Sequence, residues 1–466
     1  MARTRRAPWE KECPMIPDYS ARPAGIGGPN DRCPVRLRYG RGMTEATFDA
    51  TSASGFRRFL ASRQALWCGF TIIHLLLASL CFAGPGNPLG DVTDVYRSWA
   101  LQAQTGLSRM GIDTPWVYPI LAFAPMTVAL LFGPVLYGAT WLVLVTLLNG
   151  IVFSILLGSG SLSRRRRIAA WWWILFLVLL GPVALGRIDT VTVPVAILGL
   201  LWAGSRPRLA TALLTVAMWM KVWPAAVIAA LAVSSRRRLN VFVVTASLSA
   251  AILVISLLAG AGMNAIGFVA EQAGRGLQVE SPFAIFWLWQ IVVGHQDVGV
   301  RYSFDILTFQ LWGPGVETAA TLATPLMVVL SVTIIGLGIR ATRSGASFLA
   351  LFPPLALCLV VTLMLSNKVG SPQFVSWLAA PIILGLVVST RRYLTPAILT
   401  GGIALCTQVI YPYWYRWLLS AQPVFVFVLT LKIVLLVGLL GWGIGSVWQA
   451  GTRAAVRHRN ALALVS

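Results

Sequence analysis

Long apolar runs, each near the roughly 17–25 residues that cross a bilayer, alternate along this chain with short arginine clusters. The runs read 67–83, 135–157, 168–186, 188–203, 239–260, 318–338, 346–365, 374–390, 394–410 and 424–447. They show no strict apolar/polar alternation, which argues against an outer-membrane barrel. The pattern predicts an all-α polytopic transmembrane bundle of about ten full spans with additional re-entrant or interfacial half-helices. Residues 117–132 follow Trp116, Tyr118 and Pro119, and predict a short helix lying in the membrane interface. Residues 283–294 are apolar but too short to span. Residues 209–233 begin and end beside arginines (Arg206 and Arg208, then Arg236–Arg238) and carry Lys221 and Pro224 at their centre. Two half-helices that dip in and return satisfy those constraints. Broken helices persist in membranes where they line a polar cavity, and a lysine at that depth needs a partner.

Charge fixes the expected orientation. The chain has 466 residues, is 57% hydrophobic and 11% charged, and carries a net charge of +22. In a soluble protein that excess would suggest nucleic acid. Here the arginines cluster between spans, which is the positive-inside pattern, so no nucleic-acid partner is expected. Arg57, Arg58 and Arg63, then Arg164–Arg167, Arg340 and Arg343, Arg391 and Arg392, and finally Arg453, Arg457 and Arg459 are placed inside. Both termini are then cytoplasmic in a plasma-membrane, multi-pass protein. The first span lacks a small-residue cleavage site and reads as an anchor that stays. Residues 1–66 read as a cytoplasmic, largely disordered tail, with Met43 a second candidate start; residues 67–447 form the transmembrane domain and 448–466 a cytoplasmic tail. Cys68, Cys81, Cys358 and Cys406 lie inside apolar runs and imply no disulfide framework.

The acidic residues change the picture from anchor to chemistry. The nine that follow position 50 run from Asp91 to Glu317, and on this topology all face the side opposite the arginine clusters. A carboxylate at bilayer depth costs on the order of 3 kcal/mol, so such a distribution points to function. Asp91 and Asp94, in Gly90-Asp91-Val92-Thr93-Asp94-Val95-Tyr96, would share a helical face. Either can act as the general base that deprotonates a hydroxyl attacking an anomeric carbon; a plain helix N-cap is the simpler alternative. Four cations are candidates for a donor phosphate: Arg187, with its planar fork, Lys221, Arg275 and Lys368. Arg187 also has a possible ion-pair partner in Asp189, and Lys221 can snorkel to a headgroup. Arg275 and Glu280 are expected to hold their loop over the site. Asn367 and Gln373, in Ser366-Asn367-Lys368-Val369-Gly370-Ser371-Pro372-Gln373, suit sugar hydroxyls. Tyr96, Asp189, Glu280, His295 and Gln373 make up the candidate substrate-binding set. His295 with Asp297, Arg301 and Asp305 is not a strong metal signature, since one histidine cannot build a typical zinc site. No metal or other cofactor is expected. The aromatic run 411–417 reads as an interfacial belt.

Asp91 in the first outer loop, Trp116-Val117-Tyr118-Pro119, the Lys221-x-x-Pro224 dip, the segment Arg275–Ser281 and Asn367–Gln373 together resemble the GT-C superfamily. More narrowly, they are similar to the actinobacterial polyprenol-phosphate-mannose-dependent α-mannosyltransferases, which include the enzymes extending phosphatidylinositol mannosides. The likeness runs from about residue 67 to 447 and rests on the order of short motifs. It implies a GT-C-like bundle and an inverting, metal-independent transfer on the extracytoplasmic face. The implied donor is a polyprenyl-phosphate sugar, mannose first, and the implied acceptor a cell-envelope glycolipid or polysaccharide within the membrane lipids. The family's first-loop aspartate maps onto Asp91 or Asp94. The chain departs from the commoner pattern at Tyr118-Pro119-Ile120, where a double proline is usual, and at Arg187-Ile188-Asp189, where Gln and Asn are usual. Two rivals stand beside this expectation: an arabinofuranosyltransferase with a polyprenyl-phosphate arabinose donor, and a transporter or flippase of a lipid-linked sugar. A transporter would usually show inverted repeats and sites near the midplane, whereas the charges here are lopsided.

Overall fold

Helix starts and breaks follow local chemistry. Ser62 accepts the Ala65 N–H and opens α1 (Arg63–Ala83), and Ser163 does the same for Arg166 at the head of α5 (Arg164–Leu180). The computed structural model describes residues 59–304 and 308–463; the expectations for the 1–58 tail and for Asp305 fall outside them. After α1 a π-helical turn, Asp91–Tyr96, runs into α2 (Arg97–Gln104). The expected interfacial piece is shorter than 117–132: a 3-10 turn, Ile120–Ala122, leads into α3 (Phe123–Val128). Beyond it Leu131, Phe132 and Val135 stay exposed, as residues facing lipid would. α4 (Tyr137–Leu157) and α5 follow.

Three short helices come next. α6 (Asp189–Trp202), α7 (Pro207–Met218) and α8 (Pro224–Ser234) have 14, 12 and 11 residues. At about 1.5 Å per residue none reaches across a hydrocarbon core of about 30 Å. α7 and α8 are the two half-helices expected around Lys221. Pro224 supplies no N–H and sits at the first turn of α8, where none is needed.

α9 (Arg238–Leu258) leaves the short helices, and the segment after it holds α10 (Phe268–Ala273), α11 (Ala284–Val292), β1 (Gly299–Ser303) and β2 (Thr308–Trp312). The strands pair antiparallel, Gly299 opposite Trp312 and Ser303 opposite Thr308. This hairpin lies in a segment read from the sequence only as outer loop. α12 (Val316–Arg343), α13 (Phe348–Leu365), α14 (Ala379–Ile410), the short α15 (Tyr415–Leu419) and α16 (Pro423–Ala463) complete the chain.

Among the described residues eight helical segments are long and apolar enough to cross a membrane. One of them, Pro372–Ile410, is two helices. Its backbone leaves helical values at Ser389 (φ −156°, ψ 87°). Trp377 touches Asp189, Val388 accepts from Arg165, and Gln408 lies against Gly181, so the chain runs down and then back beside α5. Counting that segment twice gives nine traverses among the described residues; α6, with 14 residues where 188–203 was expected to span, is too short to make a full tenth. α13 and the first half of α14 are buried through most of their length; α9 and α12 are mostly exposed.

The two ends of the bundle differ. At one end arginines meet backbone carbonyls: Arg63 with Gly158 at 2.5 Å, Arg165 with Val388 at 2.8 Å, Arg392 with Ser446 at 3.0 Å. At the other end the carboxylates gather.

Candidate active site

The site grows from a tight turn. Between α5 and α6 the chain reverses over Leu185–Thr190, and nearly every polar group there is engaged. The Trp141 indole N–H donates to the Leu185 carbonyl at 3.0 Å, the Ile188 N–H to the Tyr96 hydroxyl at 3.3 Å, and the Thr190 hydroxyl to the Arg187 carbonyl at 2.5 Å. Gly186 belongs there for steric reasons, since a Cβ on it would lie 2.8 Å from the Pro88 carbonyl oxygen. The first loop is thereby pressed against the turn.

Arg187 points from this turn into the loop. Its Nε stands 3.2 Å from Asp91 Oδ2, and its Nη1 donates to the Pro88 and Gly186 carbonyls at 2.8 Å each. Its Nη2 donates to the Tyr411 hydroxyl. Burial alone would weaken the guanidinium's hold on its proton. Asp91 and the surrounding tyrosines Tyr411, Tyr96 and Tyr118 outweigh that and hold its pKa above the ordinary value. The Asp91 side chain keeps 43% of its exposure and so can meet a substrate.

Asp91 and Asp94 do not meet a common partner. The wider π-helical turn sends Asp94 to the Asn87 amide and the Thr93 hydroxyl, each at 3.1 Å. It lines a shallow cleft with Arg97, Ser98, Leu101, Gln102 and Thr105. The possible Arg187–Asp189 pair is replaced by two crossed pairs, Arg187 with Asp91 and Lys221 with Asp189.

Asp189 is fully buried. The Trp377 indole donates to its Oδ1 at 2.5 Å, and Lys221 Nζ lies 3.5 Å from Oδ2. Lys221, at the break between α7 and α8, also stands over the Tyr118 ring, 4.6 Å from its centroid, and within 5.7 Å of that of Phe374. Trp377 stacks between Trp223 and Phe374. The partner that a membrane-depth lysine requires is therefore Asp189.

Two further cations come from the segments around 275 and 366–373. Arg275 is half-buried near Tyr118 and Glu271; its Nε has no hydrogen-bond partner, and burial lowers its pKa. Lys368 is buried, donates to the Ala273 carbonyl at 2.6 Å, and has its pKa lowered by burial. Among the described residues neither has a carboxylate within ion-pair distance. Gln373 is buried with its amide oxygen unpartnered. Tyr96 is buried at the heart of the aromatic group, and burial, followed by Tyr118 and Asp91, raises its pKa well above the ordinary value.

Two expected site residues sit elsewhere. His295 is exposed after α11, 3.8 Å from Asp297, and makes no contact with the group around Arg187. Glu280 does not pair with Arg275; it is buried against Lys432 of α16 at 3.2 Å. That pair anchors a platform. Residues 277–279 bond to β2 through Val279 to Phe309 (3.3 Å) and Leu311 to Leu277 (2.9 Å), while the Gln278 N–H donates to the Lys368 carbonyl at 3.0 Å. Gly370 packs backbone to backbone there: a Cβ on it would lie 2.0 Å from the Glu280 carbonyl carbon. Gly370→Ala is thus expected to unseat the loop carrying Lys368, seen as a markedly lower thermal midpoint in detergent; an unchanged midpoint would disprove the contact. Tyr411, Trp377 and Lys432 had not been singled out from the sequence as site residues, because each lies within a span or an aromatic run.

Residues 116–298 match the model of glycosyltransferase family 87. The match points to a membrane glycosyltransferase, and the long apolar helices fit a multi-pass membrane protein. It contains Tyr118, Arg187, Asp189, Lys221, Arg275 and Glu280; Asp91, Lys368 and Tyr411 come from outside it. No curated protein and no solved structure matches the chain. Among the described residues no three His, Cys, Asp or Glu side chains gather closely enough to hold a metal ion.

Proposed function

We propose that the protein transfers a sugar, mannose first, from a polyprenyl-phosphate donor to a cell-envelope glycolipid or polysaccharide, with inversion and with Asp91 as base. The observation that carries this is one half-exposed carboxylate, Asp91, held by an Arg187 that shares Tyr118 as a neighbour with Lys221 and Arg275, while Arg275 and Lys368 lack carboxylate partners among the described residues. The acceptor hydroxyl gives its proton to Asp91 as its oxygen bonds to the anomeric carbon. The bond from that carbon to the phosphate oxygen breaks on the opposite side, and polyprenyl phosphate leaves with the electron pair. Lys221, Arg275 and Lys368 stabilise the charge growing on the phosphate, most effectively where water is excluded. Three cations supply the charge that releasing a single phosphate calls for, so the mechanism is written without a metal.

The unpacked middle of α12 supports a lipid-linked donor. Between Ala323 and Ile334 no residue of that helix is buried. Further along, Gly338 lies against Val233 of α8, and the Thr342 hydroxyl donates to the Val233 carbonyl at 3.1 Å. α8 begins about 14 Å before Val233, at 1.5 Å per residue. Lys221 therefore sits level with the open stretch, where a lipid phosphate can approach from the side. By the positive-inside rule the arginine end faces the cytoplasm and the carboxylate end the exterior.

The test uses membranes containing the intact protein, radiolabelled polyprenyl-phosphate mannose and a lipid acceptor. Labelled glycolipid of inverted anomeric configuration is expected. Transfer from the arabinose donor alone would correct the sugar. Movement of lipid-linked sugar across the bilayer without transfer would favour a flippase and end the proposal.

A further inference from the structure

We infer that Arg187 and Tyr411 act together as positioning residues that aim the Asp91 carboxylate, and that Arg187 is not a ligand of the donor phosphate. The inference rests on the transfer reaction proposed above and assigns roles within that site.

The donor inventory of the guanidinium argues first. An arginine offers five N–H bonds in a fixed fork. Here Nε faces Asp91, Nη1 serves the Pro88 and Gly186 carbonyls, and Nη2 serves Tyr411. One N–H remains, on a side chain only 6% exposed. A bidentate grip on a phosphate would need at least one of those bonds to break. Arg275 differs: its Nε has no partner at all.

The surroundings argue second. Each contact of Arg187 bears on the placement of the first loop. Pro88 lies three residues before Asp91, and the Gly186–Pro88 approach holds the loop against the turn. Tyr411 reaches in from between α14 and α15, and the next residue presses on the same loop: the Pro412 carbonyl oxygen would lie 2.3 Å from a Cβ on Gly86. Two chain segments thus close on the loop from opposite sides, and the guanidinium joins them to the carboxylate. A base must sit within hydrogen-bond reach of the proton it takes, and small misplacements are costly in rate. The titratable groups facing Asp91 are Arg187, Tyr96 and Tyr411, with Cys81 behind Arg187. Arg187 is the one permanent cation among them.

The experiment compares Tyr411→Phe, Arg187→Lys and Asp91→Asn in the full-length protein, in the transfer assay, with donor KM and kcat measured across pH. Tyr411→Phe removes one hydroxyl from a charge-assisted bond and is expected to lower kcat about tenfold to a hundredfold. Donor KM should stay within about twofold. Arg187→Lys keeps the charge but loses the fork, and should lower kcat likewise. A purely structural role would lower the amount of folded protein and leave kcat per folded enzyme unchanged, so active enzyme is normalised by its thermal transition. Wild-type kcat in Tyr411→Phe would overturn the inference. So would a large rise in donor KM at unchanged kcat in Arg187→Lys, which would make the arginine a phosphate ligand. Full activity in Asp91→Asn would instead remove the base assignment itself, so the two failures are distinguishable.

Discussion

Asp91→Asn is expected to slow sugar transfer by about 10²–10⁴-fold, the range for loss of a positioned general base. Asparagine preserves the shape of the side chain and cannot take up the proton. The fold should survive the change. Arg187, itself almost wholly buried, loses its counter-charge but keeps its bonds to Pro88, Gly186 and Tyr411, and an amide oxygen at position 91 can still accept from its Nε. Donor binding should persist, since Lys221, Arg275 and Lys368 are untouched. Asp94→Asn should change kcat only slightly, because Asp94 faces Asn87 and Thr93 rather than the cationic group. Single-turnover transfer with radiolabelled donor separates the outcomes. Unchanged rates in Asp91→Asn, or a collapse confined to Asp94→Asn, would move the base elsewhere.

The second large effect falls on stability. Glu280 and Lys432 form an ion pair in which both side chains are almost wholly buried, at 2% and 6% exposure. Removing one partner of such a pair strands the other and costs about 3–5 kcal/mol. Glu280→Ala should therefore lower the thermal midpoint sharply in detergent and release the platform that carries Lys368. The paired change Glu280→Gln with Lys432→Met should recover most of the loss, because no charge is then left alone. A single variant as stable as the wild type would show that water or lipid headgroups already reach the pair.

How much was legible depended on whether a feature was local. The break at Lys221 and Pro224 was readable because 209–233 is too short for two spans and starts and stops beside arginines. The Arg187–Asp189 turn was readable because two apolar runs meet there without a linker. The partners were not readable. Arg187 takes Asp91 and Lys221 takes Asp189 because the first loop folds down beside the turn, and nothing in either motif encodes that exchange. Lys432 lies inside an apolar run, 152 positions from Glu280, and a single lysine in a span carries no address. Tyr411 looked like any interfacial tyrosine until its hydroxyl met a guanidinium. The β1–β2 hairpin escaped notice because each strand has only five residues. The residues that could bear chemistry were thus largely visible from charge and depth, while their pairings belong to the tertiary fold.

The arginines at the far end also close helix ends. The Arg63 fork holds the Gly158 carbonyl just past the end of α4, and Arg165 holds Val388 where the first half of α14 stops. Helix C-termini leave carbonyls unpaired and carry partial negative charge. Insertion machinery counts only positive charge, and lysine would satisfy it equally. Lysine would not reproduce a planar fork between carbonyls. Helix-end closure thus calls for arginine's planar fork, a demand chemically separate from the positive charge that lysine would supply equally.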